Sequence, residues 1–442
     1  MSAATLTAVA TPASRVPAVE PRVIGTDATV PLDDGRTVTY ANFDYAASAP
    51  CLESVQDAIT RALPYYSSVH RGAGYASQVT TEAYEKARET VRDFLGAWRR
   101  AAVVFTRNTT DAMNLLAHAA PQGTTAVVFE TEHHATLLPW KRAVRLPAPA
   151  TPAEAISAAD RALAEAPAGP RLLVVTAASN VTGELWPIEE LARVAHGHGA
   201  RIVVDAAQLV PHRPLDMSAL DLDYVAFSGH KLYAPFGAGV LAGRADWLRA
   251  ADPYLKGGGA SAAVTDGGDS TRWATDAQQR HEAGTPNVLG VIALAAACET
   301  LAATGWDGLI EHEERLLASL RRGIAVLPGV RELTLWGGRN PRVGIVSFVV
   351  DGWNARDVAL TLSGKHGIGV RDGKFCAHPF VQHLLDAGDQ GEGCTQGQGT
   401  AVRASFGIGT TQEHVDRLLS ALARLAYGTR GQVPDQVAHG GR

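Results

Sequence analysis

From residue 102 onward, short runs of Val, Leu, Ile and Phe alternate with segments whose apolar residues recur every three or four positions. The runs 102–105, 125–129, 171–176, 201–205, 224–227 and 239–242 lack the in–out alternation of a half-exposed strand. Each therefore predicts a strand buried on both faces. Residues 52–63, 80–95, 109–118, 152–164 and 188–198 carry helical spacing. Strands and helices in alternation predict an α/β fold, a parallel sheet covered by helices on both sides.

The pattern then changes. Residues 254–282 are polar and Gly-rich, which predicts a loop or hairpin excursion. Residues 287–302 and 309–326 predict long helices leading into a second domain. That domain continues with a strand at 343–350, a helix at 355–363, strands at 367–370 and 401–405, and a helix at 412–426. Residues 388–399 form a low-complexity insert of Gly, Gln, Asp and Glu. A chain of 442 residues exceeds one ordinary core, so two packed domains are expected. The boundaries read as a flexible tail at 1–38, a large domain at 39–300, a small domain at 301–428 and a second tail at 429–442. The first residues of the large domain are expected to pack on the small one.

Composition narrows the function classes. A net charge of −5 gives no basic footprint, which argues against nucleic acid as a partner. No apolar run is long enough to span a bilayer, so no membrane is expected. Cys51, Cys298, Cys376 and Cys394 are scattered without a CxxC pair, which argues against a disulfide framework or a zinc ribbon and for a reducing, cytoplasmic setting. The opening residues, rich in Ala, Thr, Pro and Val, lack a basic start and an apolar core, so they read as a tail rather than a secretory signal.

One stretch carries the chemistry. Ser228-Gly229-His230-Lys231 directly follows a buried strand, in a chain with only six lysines, so Lys231 is unlike a solvated surface charge. Burial disfavours the ammonium and leaves a nucleophilic amine, able to form a Schiff base with a carbonyl, above all that of pyridoxal phosphate (PLP). Ser228 and His230 are placed to hold its phosphate. Asp205 ends a strand, where ligands of parallel sheets bind, and can pair with a pyridine nitrogen; read locally, it is equally a helix cap. Gln208 can reach the ring hydroxyl. Thr109 and Thr110 open a helix after a strand, at once an N-cap and an anion site. His133, beside His134, can stack on the ring. Adjacent histidines seldom face one ion, so no metal is expected. Asn180 lies at another strand end. Arg403 sits inside an apolar strand and needs an anion, either a substrate carboxylate or an internal acid. Cys376 lies in a loop where Lys374 and His378 favour a thiolate.

In order along the chain, Phe43-Asp44-Tyr45-Ala46-Ala47-Ser48-Ala49, His70-Arg71-Gly72, Asn108-Thr109-Thr110, Glu132-His133-His134-Ala135, Ser179-Asn180, Asp205-Ala206-Ala207-Gln208, Ser228-Gly229-His230-Lys231, Gly284-Thr285-Pro286-Asn287, Val370-Arg371 through Cys376-Ala377, and Arg403-Ala404-Ser405 form one set. That set resembles class V PLP enzymes of the aminotransferase fold, in particular the SufS-type cysteine desulfurase and selenocysteine lyase group. The resemblance implies fold type I of PLP-dependent transferases, a large domain with a mostly parallel sheet and a smaller α+β C-terminal domain. By the same resemblance Lys231 is the Schiff-base lysine and His133 the ring-stacking histidine. Asp205 and Gln208 address the ring, while Thr109, Thr110, Ser228 and His230 serve the phosphate. Thr285 reaches the phosphate from the neighbouring subunit of a homodimer. Asn180 and Arg403 hold the substrate carboxylate, and Cys376 is the persulfide-forming cysteine, which passes sulfur to an acceptor protein. The family often has two histidines before that cysteine; this chain has Lys374 and Phe375. The expected substrate is L-cysteine or a derivative such as selenocysteine. A carbon–sulfur β-lyase, a class V aminotransferase or epimerase, and a non-catalytic binding protein of the same fold are the alternatives.

Overall fold

The computed structural model describes residues 21–235, 238–268, 270–388 and 399–428. The insert residues 389–398, with Cys394, lie outside the described residues, as do the ends of both expected tails.

A seven-stranded sheet forms the centre. Its order is Ala102–Thr106, Gly239–Gly243, Tyr224–Ser228, Arg201–Asp205, Arg171–Thr176, Thr125–Phe129 and Ala143–Leu146. The last five pair in parallel, whereas Gly239–Gly243 runs antiparallel to both its neighbours. The mostly parallel sheet expected from the strand pattern is borne out. Its central strands are buried along nearly their whole length because helices cover both faces. The edge strand Ala143–Leu146 had no signal in the sequence: it is short and carries an exposed arginine.

The direction of the strands decides where the site lies. Thr176 pairs with Asp205, and Ser228 pairs with Gly239, which in turn faces Thr106. These residues share one edge of the sheet, the carboxyl end of the parallel strands, where ligands bind in such folds. Gly239 lets a helix start press against that edge. A Cβ there would lie 2.5 Å from Asn108 Cα, so any larger residue would push the Thr109–Ala119 helix away.

Helix Val288–Thr304 is apolar all round and is accordingly buried against Glu53–Ala62 and Tyr75–Phe94. At Gly305, with φ 82°, the chain turns by 88° into helix Trp306–Ala325. A second, antiparallel sheet follows, ordered Val330–Leu333, Ile345–Val350, Ala401–Ser405, Arg371–Gly373. It packs against Trp306–Ala325, Ala355–His366 and Gln412–Tyr427. Ala41–Asn42 pairs in parallel with Ile368–Gly369, and Asp44 bridges to Ser405. The early chain is thereby joined to the late sheet.

Several expectations need correction. Part of the tail expected at 1–38 is regular structure: Thr29–Pro31 pairs with Thr37–Thr39 as a hairpin across an Asp-Asp-Gly turn. The single strand expected at 367–370 is two short pieces with different partners: Ile368–Gly369 pairs with Ala41–Asn42, and Arg371–Gly373 pairs with Ala401–Ser405. Helix His378–Gly388 was not foreseen; Phe380, Val381, Leu384 and Leu385 line its buried face. The excursion at 254–282 contains the hairpin of Ser261–Thr265 and Ser270–Trp273. Among the described residues no single helix is long and apolar enough to cross a membrane.

Candidate active site

At the carboxyl edge of the large sheet a cavity of about 470 Å³ opens. Eleven of the twelve residues singled out in the sequence line it: Thr109, Thr110, His133, Asn180, Asp205, Gln208, Ser228, His230, Lys231, Cys376 and Arg403. Thr285 does not. It lines a separate open cavity with His70, Arg71 and Arg88.

Lys231 ends a single 3-10 turn, Gly229–Lys231, immediately after the strand Tyr224–Ser228. Burial pushes its amine down to about 8; Asp205 opposes the shift and Arg403 adds to it. Cofactor capture should follow that titration, because only the neutral amine attacks a carbonyl. In cofactor-free protein the rate of PLP uptake is expected to rise with pH through about 8 and level off above it. Stopped-flow visible absorbance measures this, and a rate flat between pH 6 and 9 would contradict it.

The far wall is acidic and well bonded. Asp205 accepts hydrogen bonds from Thr136 Oγ1 at 2.6 Å and Ala207 N at 3.0 Å, which fix the carboxylate plane. Beneath it Glu132 is fully buried; Thr176 N donates to its Oε1 at 2.9 Å, and its Oε2 has no partner among the described residues. Burial raises that carboxyl well above its ordinary value, and the neighbouring Asp205 adds to the shift. His133 accepts from Ala135 N through Nδ1 at 3.0 Å, which leaves the proton of the neutral ring on Nε2. Burial, and then Lys231, pushes the imidazole down to about 4. His230 is likewise driven to about 4 by burial and by Lys231. Both rings are therefore neutral at pH 7.

The third wall carries two arginines. Arg403 is buried, its NH1 donating to Asn180 O at 3.0 Å and its NH2 to Asp44 Oδ1 at 3.4 Å. Its Nε has no partner among the described residues. Burial pulls the guanidinium down to about 10, yet it stays charged at neutral pH. Arg371 approaches the other oxygen of Asp44 at 3.8 Å. Burial raises the Asp44 carboxyl against the pull of both arginines. The sequence offered no local sign of this triad, since Asp44 and Arg403 are 359 positions apart.

Cys376 is exposed at the mouth. Its loop is strapped down: Asn180 Nδ2 donates to Phe375 O at 2.8 Å and His134 N to Cys376 O at 2.7 Å. The ring of His134 accepts from His378 N at 3.3 Å and lies 4.5 Å from the His378 ring. Lys374, expected to favour a thiolate, bonds instead to Gln382 Oε1 at 3.2 Å. His134, Glu132, Thr136, Phe375 and Asp44 were not assigned roles from sequence, because their contacts depend on segments far apart in the chain.

The residues fit PLP. Gln208 donates to Ala46 O at 2.8 Å and leaves a buried Oε1 without a partner, as a ring hydroxyl donor would require. The Thr109 and Ser228 hydroxyls meet at 2.7 Å at the start of the Thr109–Ala119 helix, a place suited to a phosphate. Lys231 and Asp205 supply a nucleophilic amine and a carboxylate to the same cavity.

Sheet and cavity together define a PLP enzyme of the aminotransferase fold. The Aminotransferase class-V family model matches residues 41–418, and the chain belongs to that family. A cysteine desulfurase of Escherichia coli O8 is 35% identical over 405 residues, 87% of this chain and 93% of that protein. A probable cysteine desulfurase of Vibrio cholerae is 36% identical over 409 residues, 88% and 94% of the two chains. Among solved structures, the apo cysteine desulfurase of Thermococcus onnurineus superposes with a TM-score of 0.77 at 32% identity, covering 88% of this chain and 95% of that one. A cysteine desulfurase from Escherichia coli, in an S-sulfonic acid form, gives 0.73 at 33% identity, covering 87% and 94%.

Proposed function

We propose that this chain is a PLP-dependent cysteine desulfurase that converts L-cysteine to L-alanine and holds the departing sulfur as a persulfide on Cys376. The observation that carries the reading is that Cys376, Lys231 and Arg403 line one cavity. Bound PLP supplies an electron sink for the substrate's α-carbon. The chain supplies the rest. Lys231 tethers the cofactor and, once released, moves the α-proton. Asp205 and His133 hold the ring from edge and face, Gln208 its hydroxyl, and Thr109, Thr110, Ser228 and His230 its phosphate. Arg403 and Asn180 hold the substrate carboxylate. Cys376 Sγ then attacks the substrate sulfur. An S–S bond forms and the substrate C–S bond breaks, its electron pair going to carbon. One thiol proton completes the methyl group of alanine and the other stays on the persulfide.

The working unit in this reading is a homodimer. Thr285 faces a cavity apart from Lys231 in its own chain, which supports its reaching the phosphate of a second copy. An exposed Cys376 supports transfer of sulfur to an acceptor protein. The free thiols of Cys51, Cys298 and Cys376 support a cytoplasmic setting.

Replacing Arg403 by lysine should raise KM for cysteine by about 10- to 100-fold, the loss of a charged hydrogen bond of roughly 1.5–3 kcal/mol. Cofactor absorbance should be unchanged. The deciding experiment for the reaction is product analysis with cysteine. Alanine and a Cys376 persulfide support the proposal, whereas pyruvate and ammonia would assign a β-lyase instead.

A further inference from the structure

Cys376 stands on an unfavourable stretch of backbone. Phe375 and Cys376 both take left-handed φ angles, 50° and 53°. For residues with bulky side chains each such angle costs about 1–2 kcal/mol. It persists only where the surroundings impose it. The carbonyl bonds from Asn180 and His134, and the Ala377 N bond to Lys374 O at 2.9 Å, hold the main chain. The remaining constraint is the Phe375 side chain. It is buried in a small apolar cluster with Val181, Leu333, Phe380 and Leu384. The Arg403 guanidinium lies 5.0 Å from the centre of its ring. Cysteine loop and anion site therefore share one wedge. Arg403 is otherwise held by Asn180 O at 3.0 Å and by a longer bond to Asp44, while its Nε has no partner among the described residues, so the ring face is what sets the plane of its fork.

We propose that Phe375 is a positioning residue with two tasks: its packing holds Cys376 over the cavity, and its ring face fixes the plane of the Arg403 fork. The inference rests on the reading above for the statement that Cys376 accepts sulfur; the hold on the loop does not depend on it. Loss of the wedge frees the left-handed pair and loosens the guanidinium together, while the cofactor wall of Asp205, His133 and Lys231 is untouched.

The test uses Phe375→Ala and Phe375→Leu, the latter keeping the packing and losing the ring face. Both should take up PLP with wild-type visible absorbance. In cofactor-free F375A, amide hydrogen exchange across residues 374–378 should quicken at least tenfold. Single-turnover persulfide formation on Cys376, read by mass spectrometry, should slow at least tenfold, and KM for cysteine should rise severalfold. F375L should restore slow exchange and persulfide formation but keep the raised KM. Wild-type exchange in F375A, or wild-type KM in F375L, overturns the corresponding task. If F375A fails to fold, F375L alone decides through its KM. A wild-type protein that forms no persulfide on Cys376 would refute the desulfurase reading, while the exchange and KM measurements would still judge Phe375.

Discussion

Replacing Lys231 by alanine will abolish desulfuration, with turnover falling at least about 10³-fold. The variant will still bind PLP through the remaining wall residues, but the visible band of lysine-bound cofactor will be missing. Two losses combine. In the proposed mechanism the amine that burial brings to about 8 both tethers the cofactor and, once released, moves the α-proton. Neither neighbour can replace it, because His133 and His230 are each pushed to about 4, too weakly basic for the task at neutral pH. The variant should fold normally, since removing Lys231 removes a half-buried cation rather than packing. Retention of more than a few per cent of wild-type turnover would assign the proton transfer to another residue.

Replacing Cys376 by alanine will separate cofactor chemistry from sulfur transfer. Cofactor absorbance will match the wild type, and cysteine will still perturb it, because Arg403, Asn180 and Lys231 are in place. Alanine production from cysteine will fall by about 10²-fold or more, the scale expected when a covalent nucleophile is lost. Selenocysteine should suffer less, since selenium leaves carbon more readily and relies less on attack by the thiolate. Equal production of alanine from cysteine by variant and wild type would remove Cys376 from the mechanism.

The large sheet was legible because each of its buried strands is a short apolar run, and burial on both faces leaves no other pattern. The residues that follow those runs were legible for the same reason: once the strands are parallel, Asp205, Asn180 and Ser228 must gather at one edge. What stayed hidden was set by distance or by shape. Ala143–Leu146 is only four residues long with an exposed arginine inside it, too short a run to signal an edge strand. Helix His378–Gly388 begins on His-Pro and ends on Gly, so its ends read as loop. The raised carboxyl of Glu132 depends on burial that no neighbouring residue foretells. Asp44 and Phe375 meet Arg403 only after both sheets have formed.

That last meeting bears on how the protein is made. A ribosome extends its product from the amino end, so Asp44 is synthesised hundreds of residues before its cationic partner. The platform for the coenzyme can form while translation continues, as domains commonly do. The clamp proposed for the amino acid cannot, because a prematurely terminated product lacking Ala401–Ser405 has no Arg403 with which to grip a carboxylate.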